Sequence, residues 1–426
     1  MAITGKRALA TAALALTGCS SDRVLHVDRP DIIDPNGLNN PAGVTALHAG
    51  VIGDLSAYMD AALGVNATVG LFTDELEFGA TPPEIKQFDT RSLIEQNTLL
   101  WQVYGNIQQL RGQADRAAEA LTKVNASDTR IGEMNAISGL AYVLLGELFC
   151  SGVPIGNIGE DAAPIPTTEV LQGSIAKLDA ASAAAGTNDT IKNLAAVLKA
   201  RALVDLGQFD EAATAVASVP TDFKYTTFHA ATTPYQQNGY WDYMFNSDGL
   251  LVSEKEGTNG LNFATADDPR VPITGDGSPS RFDATTPRYY FALLTGFDSP
   301  STIASGAEAR LIEAEAELQK GNPTAFLQTI NDLRTFQNLG PVADPNSPDA
   351  RIDLLFRERA FTLFATSHRL GDMRRLVRQY NRDPESVFPT GNYHKDGLKF
   401  GTDVNFLIPT PEKNNPKFTG CLDRNA

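Results

Sequence analysis

Aromatic rings and short polar side chains are concentrated in one segment of the sequence. Positions 228–249 read FHAATTPYQQNGYWDYMFNSDG. Tyr and Trp combine a flat apolar face with a hydrogen-bonding group, and planar amides or carboxylates beside them can bind hydroxyl groups. This chemistry suits recognition of sugar rings, with the alternative that the rings fill a core made thin by short elements. The candidate ligand-binding residues here are Tyr235, Asn238, Tyr240, Trp241, Asp242 and Tyr243.

Residues 367–375, SHRLGDMRR, bring a serine, a histidine and an aspartate close together in sequence. A Ser–His–Asp catalytic site is assembled from separated elements and needs an oxyanion hole, so this run does not predict one. We expect arginine–carboxylate pairs at a helix end instead, with Glu358 and Asp372 facing Arg369 or Arg374. The sequence therefore predicts no catalytic residue.

No metal or cofactor site is predicted either. The five histidines are scattered, and the chain contains no HExxH motif and no phosphate-binding loop. Residues 267–280, DDPRVPITGDGSPS, combine aspartates with glycines, and hard cations such as calcium bind carboxylate oxygens. Their spacing departs from that of an EF-hand loop, so we expect a plain acidic surface loop.

The N-terminus has the order of features found in a bacterial lipoprotein signal. Two basic residues precede an apolar run over 8–17, which is too short to span a bilayer. Small residues then lead into Cys19, as in a lipobox, where the thiol is acylated. We predict a signal peptide over 1–18, a lipidated Cys19 and a tether over 19–44, with an ordinary exported protein as the alternative. Ser20 rather than aspartate follows the cysteine, which favours the outer membrane.

The overall charge limits the classes of partner. The chain carries 35 basic and 51 acidic residues, for a net charge of −16. Binding to nucleic acid depends on Lys and Arg at the phosphates, so no nucleic-acid partner is expected. After the N-terminal run, no stretch is long and apolar enough to be a transmembrane helix. A lipid is therefore the expected membrane contact.

Two cysteines remain once Cys19 is assigned to the anchor. In an exported protein this even remainder predicts a disulfide between Cys150 and Cys421. Such a bridge would tie the C-terminal tail to the first half of the chain. Two unpaired buried thiols are the alternative.

Small residues recur at helical spacing in two segments that share a glycine turn. They read AAVLKARALVDLGQFDEAATAVASVP and EARLIEAEAELQKGNPTAFLQTINDLR. Both are typical of tetratricopeptide (TPR) units, in which small side chains let paired helices pack closely and Gly permits the sharp turn. Pairs of this type bury their faces by stacking into a superhelix. The pattern predicts an all-α, TPR-like fold.

One helical scaffold interrupted by an irregular region is the expected organisation. The predicted parts are a scaffold over 45–220 and 306–368, an irregular aromatic-rich ligand region over 221–305, and a tail of loops over 369–426 packed on the scaffold. Residues 64–90 have the Gly, Pro and aromatic content of an irregular segment. Trp101 and Tyr104 lie three apart in a strong helical pattern, which favours the core for both.

Several segments also occur in a collinear order that is typical of one family. They are GLFTDEL (70–76), EARLIEAEAEL (308–318), INDLR (330–334), LLFRERAFTLFATSHRLGDMRRL (354–376), FPTGNY (388–393) and FLIPTPEKNNP (406–416). With the lipobox, they resemble the SusD/RagB family of outer-membrane nutrient-binding lipoproteins. The resemblance covers nearly the whole chain, and its C-terminal set is the most specific.

The resemblance implies a scaffold of four TPR-like helix pairs. It implies a lipid-anchored protein of the outer membrane that faces the exterior and acts as a hinged lid over a SusC-like TonB-dependent transporter. The lid would capture a nutrient, most often an oligosaccharide and sometimes a peptide, without cofactor or catalysis. The resemblance adds Phe72 and Phe78 to the candidate ligand-binding residues and implies a structural role for Asp74 and Glu75, as caps or buried pairs.

Two other classes of function remain open at this point. A TPR scaffold protein of an envelope complex would bind no small ligand, and a groove without accessible aromatic rings would favour it. A surface hydrolase would need a catalytic constellation, and none is recognisable in the sequence. The loop-built aromatic region argues against a pure scaffold, since stacked helix pairs do not need it.

Overall fold

The structure, a computed structural model, describes residues 39–157 and 159–426 and is mostly helical over them. The predicted signal peptide, Cys19 and most of the predicted tether lie outside the described residues. The helices are α1 (Pro41–Asp60), α2 (Val65–Phe72), α3 (Pro83–Asp89), α4 (Thr98–Val124), α5 (Arg130–Leu148), α6 (Thr167–Ala184), α7 (Asp189–Asp205), α8 (Phe209–Val216), α9 (Gly239–Phe245), α10 (Gly306–Gln319), α11 (Pro323–Phe336), α12 (Pro348–Thr362), α13 (Arg369–Arg378) and α14 (Pro384–Val387). The strands are β1 (Leu76–Phe78), β2 (Val153–Pro154), β3 (Pro164–Ile165), β4 (Lys224–Thr226), β5 (Leu250–Val252), β6 (Ile273–Thr274), β7 (Tyr290–Phe291) and β8 (Thr302–Ser305).

Local sequence signals set several helix ends. The side chains of Asn40, Asn97 and Ser305 each accept a hydrogen bond from a backbone N–H in the first turn of α1, α4 and α10. Gly207 and Gly321 follow α7 and α10 with φ of +74° and +70°. No atom lies within 4 Å of the position that a Cβ would take at either glycine. The left-handed backbone, rather than lack of space, therefore requires glycine in both turns.

Within the described residues, four helix pairs follow one another along the scaffold. Helix α1 packs on α4, α5 on α6, α7 on α8, and α10 on α11. Successive pairs are joined in the same order, because α4 contacts α5, α6 contacts α7, and α8 contacts α10. The two segments identified from their small residues form the third and fourth pairs. The predicted all-α, TPR-like fold with four helix pairs is confirmed.

Short two-stranded ladders connect the irregular region to the helices. Strand β1 pairs with β5 in antiparallel register, with Leu76 opposite Val252 and Phe78 opposite Leu250. Strand β4 pairs with β8, and β6 with β7. None of these ladders extends into a larger sheet among the described residues. The β1–β5 ladder places the region 221–305 against the first part of the chain, whereas the other two ladders pair strands within that region.

Two local expectations are wrong. The segment 64–90 is ordered as α2, β1 and α3 rather than as an irregular stretch. Helix α2 is buried throughout, so it lacks the polar face on which an amphipathic pattern depends, and the seven residues of α3 are too few to show one. The tail also contains a helix, α13, whose run of arginines is paired inside the protein instead of lying in solvent.

The predicted disulfide is present between Cys150 and Cys421, whose Cα atoms lie 5.9 Å apart. Backbone hydrogen bonds accompany it, since Cys150 N donates to Phe406 O at 2.9 Å and Leu422 N donates to Ser151 O at 2.7 Å. The bridge thus fastens the C-terminal tail to the chain that leaves α5.

Candidate functional site

A long cleft, called the α4 groove below, runs along the outer face of α4. Segments 154–157, 160–162 and 409–415 border its central part, which has a volume of about 590 Å³. Two smaller clefts continue it, one of about 350 Å³ that shares Trp101 and one of about 390 Å³ that shares Arg116. These dimensions suit an extended ligand better than a single small molecule.

Trp101 is an exposed ring at one end of the α4 groove. It lies in the first turn of α4, which begins after the side chain of Asn97 accepts a hydrogen bond from Leu100 N at 2.9 Å. Leu100, Val103 and Tyr104 form the buried stripe of these turns, whereas Trp101 is 54% exposed. An aromatic face open to solvent within a concave surface can stack on an apolar face of a ligand.

Two planar polar side chains follow Trp101 along the same face of α4. Gln109 and Arg116 lie at steps of eight and seven residues, close to two helical turns each. At about 1.5 Å per residue, the three side chains extend over roughly 22 Å. All three are exposed. Among the described residues, their side-chain N–H groups have no hydrogen-bond partner, so they are free to bind a ligand.

The floor of the α4 groove is held by hydrogen bonds. Gln108 Nε2 donates to Pro154 O at 2.9 Å and to the Tyr104 hydroxyl at 3.1 Å, and Arg111 donates to a carbonyl of the same segment at 2.5 Å. The Tyr104 hydroxyl donates to Glu412 Oε2 at 3.1 Å. Burial and the Glu412 carboxylate raise the pKa of Tyr104, so its phenol stays neutral. The groove is therefore preformed beneath its free side chains.

The aromatic segment predicted to bind ligand forms a different structure, called the α9 cluster below. Its rings are Trp241, Phe245, Tyr290 and Phe297. Trp241 stacks on Phe245 with centroids 5.8 Å apart and meets Phe297 edge-on at 4.8 Å. Phe245 in turn stacks on Tyr290 at 5.0 Å. All four rings are half-buried, and each contacts at least one of the others.

Four of the predicted ligand-binding residues are buried, and a ligand at the surface cannot contact them. Phe72 and Phe78 are fully buried, and Phe72 packs against Phe406 at 5.1 Å. Asn238 caps α9 by accepting a hydrogen bond from Trp241 N, and its Nδ2 donates to a backbone carbonyl. Tyr240 is only 1% exposed. For these four residues the prediction is wrong. Phe72 and Phe78 lie in the buried elements α2 and β1, and the short helix α9 turns Tyr240 inward.

The remaining predicted residues lie at or near the surface. Tyr235 is 56% exposed, and its hydroxyl donates to Asp54. Asp242 is half-buried and accepts a hydrogen bond from Asn246 Nδ2 at 2.7 Å. The Tyr243 ring covers the backbone of Gly249, where an added Cβ would lie 2.2 Å from the ring. A ligand role for Tyr235, Trp241, Asp242 and Tyr243 stays a prediction.

The run 367–375 is structural, as expected, although its partners differ from the predicted ones. Arg369 binds Asp74 through two hydrogen bonds of 2.7 and 2.8 Å, and Asp372 pairs with Arg359 and Arg375. These arginines hold the pKa of Asp372 below its usual range, although burial alone would raise it. Asp74 thus has the buried pairing that the resemblance implied.

The ion-pair partners predicted for Glu358 and Arg374 are wrong. Glu358 pairs with Arg270 and Arg334, and Arg374 donates to backbone carbonyl oxygens at the end of α5. Each of these partners comes from a distant part of the chain, so spacing within the run could not identify them. Their geometry closes helix ends and leaves no open nucleophile.

Trp101 is the functional candidate that sequence reasoning placed in the core. The prediction for Tyr104 is confirmed, since it is buried, whereas the prediction for Trp101 is wrong. Three residues along a helix turn the side chain by about 60°, enough to move Trp101 from the buried stripe to its edge. Three polar residues on the same outer face, Gln102, Gln109 and Arg116, were the signal that could have identified it.

Part of the chain matches a known family. Residues 306–415 match the family model described as the SusD family. The match includes α10 to α13 and the segment 409–415 that borders the α4 groove. No curated protein matches the chain in sequence.

Solved structures share the fold over most of their length. A SusD-like protein from Bacteroides fragilis has a TM-score of 0.69 at 13% identity, over 92% of this chain and 99% of that chain. A SusD superfamily protein from Bacteroides thetaiotaomicron has a TM-score of 0.69 at 14% identity, over 89% and 99%. A SusD-like carbohydrate binding protein from Bacteroides fragilis has a TM-score of 0.66 at 14% identity, over 89% and 99%.

The scaffold and its groove define the class as a helical-repeat protein with TPR-like pairs. Within that class, the fold is that of the SusD superfamily, and residues 306–415 carry the sequence pattern of the family. The resemblance to the SusD/RagB family is therefore confirmed. None of the described helices is both long and apolar enough to cross a bilayer.

Proposed function

We propose that the protein is a lipid-anchored, cell-surface binding protein that captures an oligosaccharide in the α4 groove. The observation that carries this proposal is Trp101, a ring 54% exposed inside a preformed polar cleft. Binding requires a flat apolar surface for the sugar ring and planar groups for its hydroxyls, and the groove offers both. No bond is broken in this function, and the protein is not an enzyme.

The length of the α4 groove supports an oligomeric ligand. Trp101, Gln109 and Arg116 are spread over roughly 22 Å of helix, which is several sugar units. The related structure from Bacteroides fragilis described as a SusD-like carbohydrate binding protein has the same fold. An extended peptide is the other ligand that a groove of this length admits.

The proposed place of action is the outer face of the outer membrane. Cys19 follows a short apolar run and would carry the lipid, and the residues between Cys19 and the start of α1 at Pro41 would form the tether. Each buried methylene of an acyl chain contributes about 0.8 kcal/mol, so several acyl chains give durable anchoring. We further propose that the protein forms the lid of a SusC-like TonB-dependent transporter, which takes up the captured ligand.

Ligand binding is tested with the full-length chain in detergent. A glycan array selects a ligand, and isothermal titration calorimetry then measures its affinity for the wild type, Trp101→Ala and Phe228→Ala. Phe228 is the matched control, since it is 66% exposed but lies outside the α4 groove. We expect Trp101→Ala to weaken binding about tenfold or more, equivalent to about 1.4 kcal/mol, and Phe228→Ala to leave it unchanged.

Two results would contradict the sugar proposal. Equal loss in both variants would mean that the groove is not the site. Binding of peptides but of no glycan, with the same dependence on Trp101, would retain the groove and replace its ligand.

The lid is tested separately by purification of the tagged, full-length protein from its own detergent-solubilised outer membranes. We expect a large β-barrel with a plug domain to co-purify in near-equal amount, as identified by mass spectrometry. Recovery of the protein alone, or with periplasmic machinery, would contradict the lid and favour a TPR scaffold.

A further inference from the structure

Three side chains that could bind a metal ion meet where the irregular region touches the tail. Glu77 belongs to β1, Glu256 to the loop after β5, and His394 to the tail. One donor atom of each lies within 4.8 Å of the donor atoms of the other two. The sequence predicts no metal site here, since these residues come from three separate parts of the chain.

The Glu256 carboxylate is buried without a partner. It is 1% exposed, and neither of its oxygens accepts a hydrogen bond within the described residues. An unpaired buried charge is strongly destabilising, so such a group needs either a proton or a cation.

The imidazole of His394 directs an unprotonated nitrogen at this carboxylate. Its Nε2 lies 3.0 Å from the Thr286 hydroxyl, which itself donates to Asp283 Oδ2 at 2.5 Å. Because the single hydroxyl proton of Thr286 is used toward Asp283, His394 Nε2 must be the donor in the other bond. The lone pair of His394 Nδ1 then faces Glu256 Oε1 at 3.8 Å.

His394 does not neutralise the Glu256 carboxylate through a hydrogen bond. A lone pair opposite a carboxylate is repulsive, and 3.8 Å is too long for a hydrogen bond through a shared proton. Two ligands of one zinc ion, each about 2.0–2.2 Å from it, lie roughly 3.3–3.6 Å apart in a tetrahedral site. The distance between His394 Nδ1 and Glu256 Oε1 is within a few tenths of an ångström of this range. The donor atoms of the whole set lie within 4.8 Å of one another, so they would have to approach by up to about 1 Å to bind one ion.

The surrounding charges also favour a cation. Asp89 adds a third buried carboxylate, and its Oδ1 has no hydrogen-bond partner among the described residues. The adjacent ammonium of Lys395 is already paired with Asp283 at 2.6 Å.

We propose that Glu77, Glu256 and His394 form a site for a divalent transition-metal ion, with zinc as the ion of choice. A mixed set of two carboxylates and one imidazole suits zinc or manganese better than calcium, which prefers oxygen ligands alone. Thr286 and Asp283 position the imidazole, as outer partners of metal-bound histidines do. The ion would fasten the tail and the irregular region to β1, independently of any sugar bound in the α4 groove.

The test uses the full-length chain without a histidine tag, treated with a chelator and then titrated with ZnCl₂ or MnCl₂. Calorimetry measures the affinity, and elemental analysis measures the metal content per chain. The variants are Glu256→Gln and His394→Ala. The control is His48→Ala, which removes a histidine paired with one carboxylate only, Glu133 at 2.7 Å.

We expect one ion per wild-type chain, binding at least tenfold weaker in both variants, and wild-type binding in His48→Ala. Zinc should raise the melting temperature of the wild type and of the control but not of the variants. His394→Ala keeps the test decisive if Glu256→Gln fails to fold, because the His394 side chain is 23% exposed. Absence of zinc and manganese binding, equal binding in all proteins, or calcium binding that His394→Ala leaves unchanged would each overturn the proposal.

Discussion

The α4 groove and the α9 cluster contain similar residue types and differ in how far those residues are already engaged. In the groove, the side chains of Trp101 and Arg116 have no hydrogen-bond partner among the described residues, and both are exposed. In the cluster, Trp241 stacks on Phe245 and meets Phe297 edge-on. The rings of the cluster stabilise one another, whereas the ring of the groove remains available.

This difference shows that a high local density of aromatic residues is a poor guide to binding. Rings close together in sequence pack on each other whenever a short helix brings them to one place. A ring isolated among polar residues on a long helix has no such partner and stays open. Substitutions in one region at a time should therefore affect ligand binding in the α4 groove and stability in the α9 cluster.

The largest effect is expected from the disulfide beside the α4 groove. Replacement of Cys150 and Cys421 by serine should lower the free energy of unfolding by about 2–5 kcal/mol, because the bridge closes a long loop. It should also weaken ligand binding, since the bridge holds the segments that follow α5 and the tail near the groove. Urea unfolding and calorimetry measure the two effects.

The single variant Cys421→Ser is the control, because it breaks the disulfide and leaves Cys150 unchanged. Unchanged stability in both variants would mean that the backbone hydrogen bonds around Cys150 hold the tail alone.

In the α9 cluster, Trp241→Ala should lower the free energy of unfolding by about 2–3 kcal/mol. The half-buried ring loses its contacts with Phe245 and Phe297, and a cavity remains. Ligand affinity measured under conditions where the variant is folded should stay within about twofold of the wild type. A large loss of affinity with little loss of stability would transfer the site from the groove to the cluster.

Two glycine substitutions, one against a ring of α9 and one in α4, should change the free energy of unfolding in opposite directions. Gly249→Ala should cost about 1–3 kcal/mol, because its Cβ would lie 2.2 Å from the Tyr243 ring. Gly105→Ala in α4 should instead stabilise the protein by about 0.5–1 kcal/mol, since no atom lies within 4 Å of the new Cβ and Ala favours the helix. Urea unfolding of the two variants checks the opposite signs, and equal signs would contradict the contrast.

The smallest effects on ligand binding are expected from substitutions of two arginines. Arg116→Ala should weaken ligand binding about threefold to tenfold through loss of one or two hydrogen bonds, with stability unchanged within about 0.5 kcal/mol. Arg281→Ala is the matched control, because its guanidinium already binds Asp248 at 2.7 Å. It should leave binding unchanged but lower the free energy of unfolding by about 1–3 kcal/mol, because the buried Asp248 carboxylate loses its charged partner. Calorimetry and urea unfolding distinguish the two results, and a binding defect in Arg281→Ala would argue against the assignment of the groove.

Much of the helical scaffold could be predicted from the sequence, because the residue patterns that specify it are local. Small residues, capping side chains and the turns at Gly207 and Gly321 each act within a few residues of their position. The disulfide followed from the number of cysteines and the expected compartment. The sequence did not reveal the helices α2 and α3, because helices of seven or eight residues carry little periodic signal.

The candidate site was less predictable, because exposure depends on elements that are distant in sequence. Trp101 shares a strong helical pattern with Tyr104, and only segment 409–415, packed beside α4, turns its surroundings into a cleft. Conversely, Tyr240 and Phe72 have the residue type of a sugar site but lie beneath other elements.

The sequence by itself determined the helical repeat, the acidic character of the chain, its lipoprotein-like N-terminus and the pairing of Cys150 with Cys421. These properties depend on composition, on local spacing or on counting. The tertiary structure alone decided which aromatic rings face solvent, which arginines pair with which carboxylates, and that Glu77, Glu256 and His394 meet. Those outcomes depend mainly on contacts between segments that are far apart in the chain.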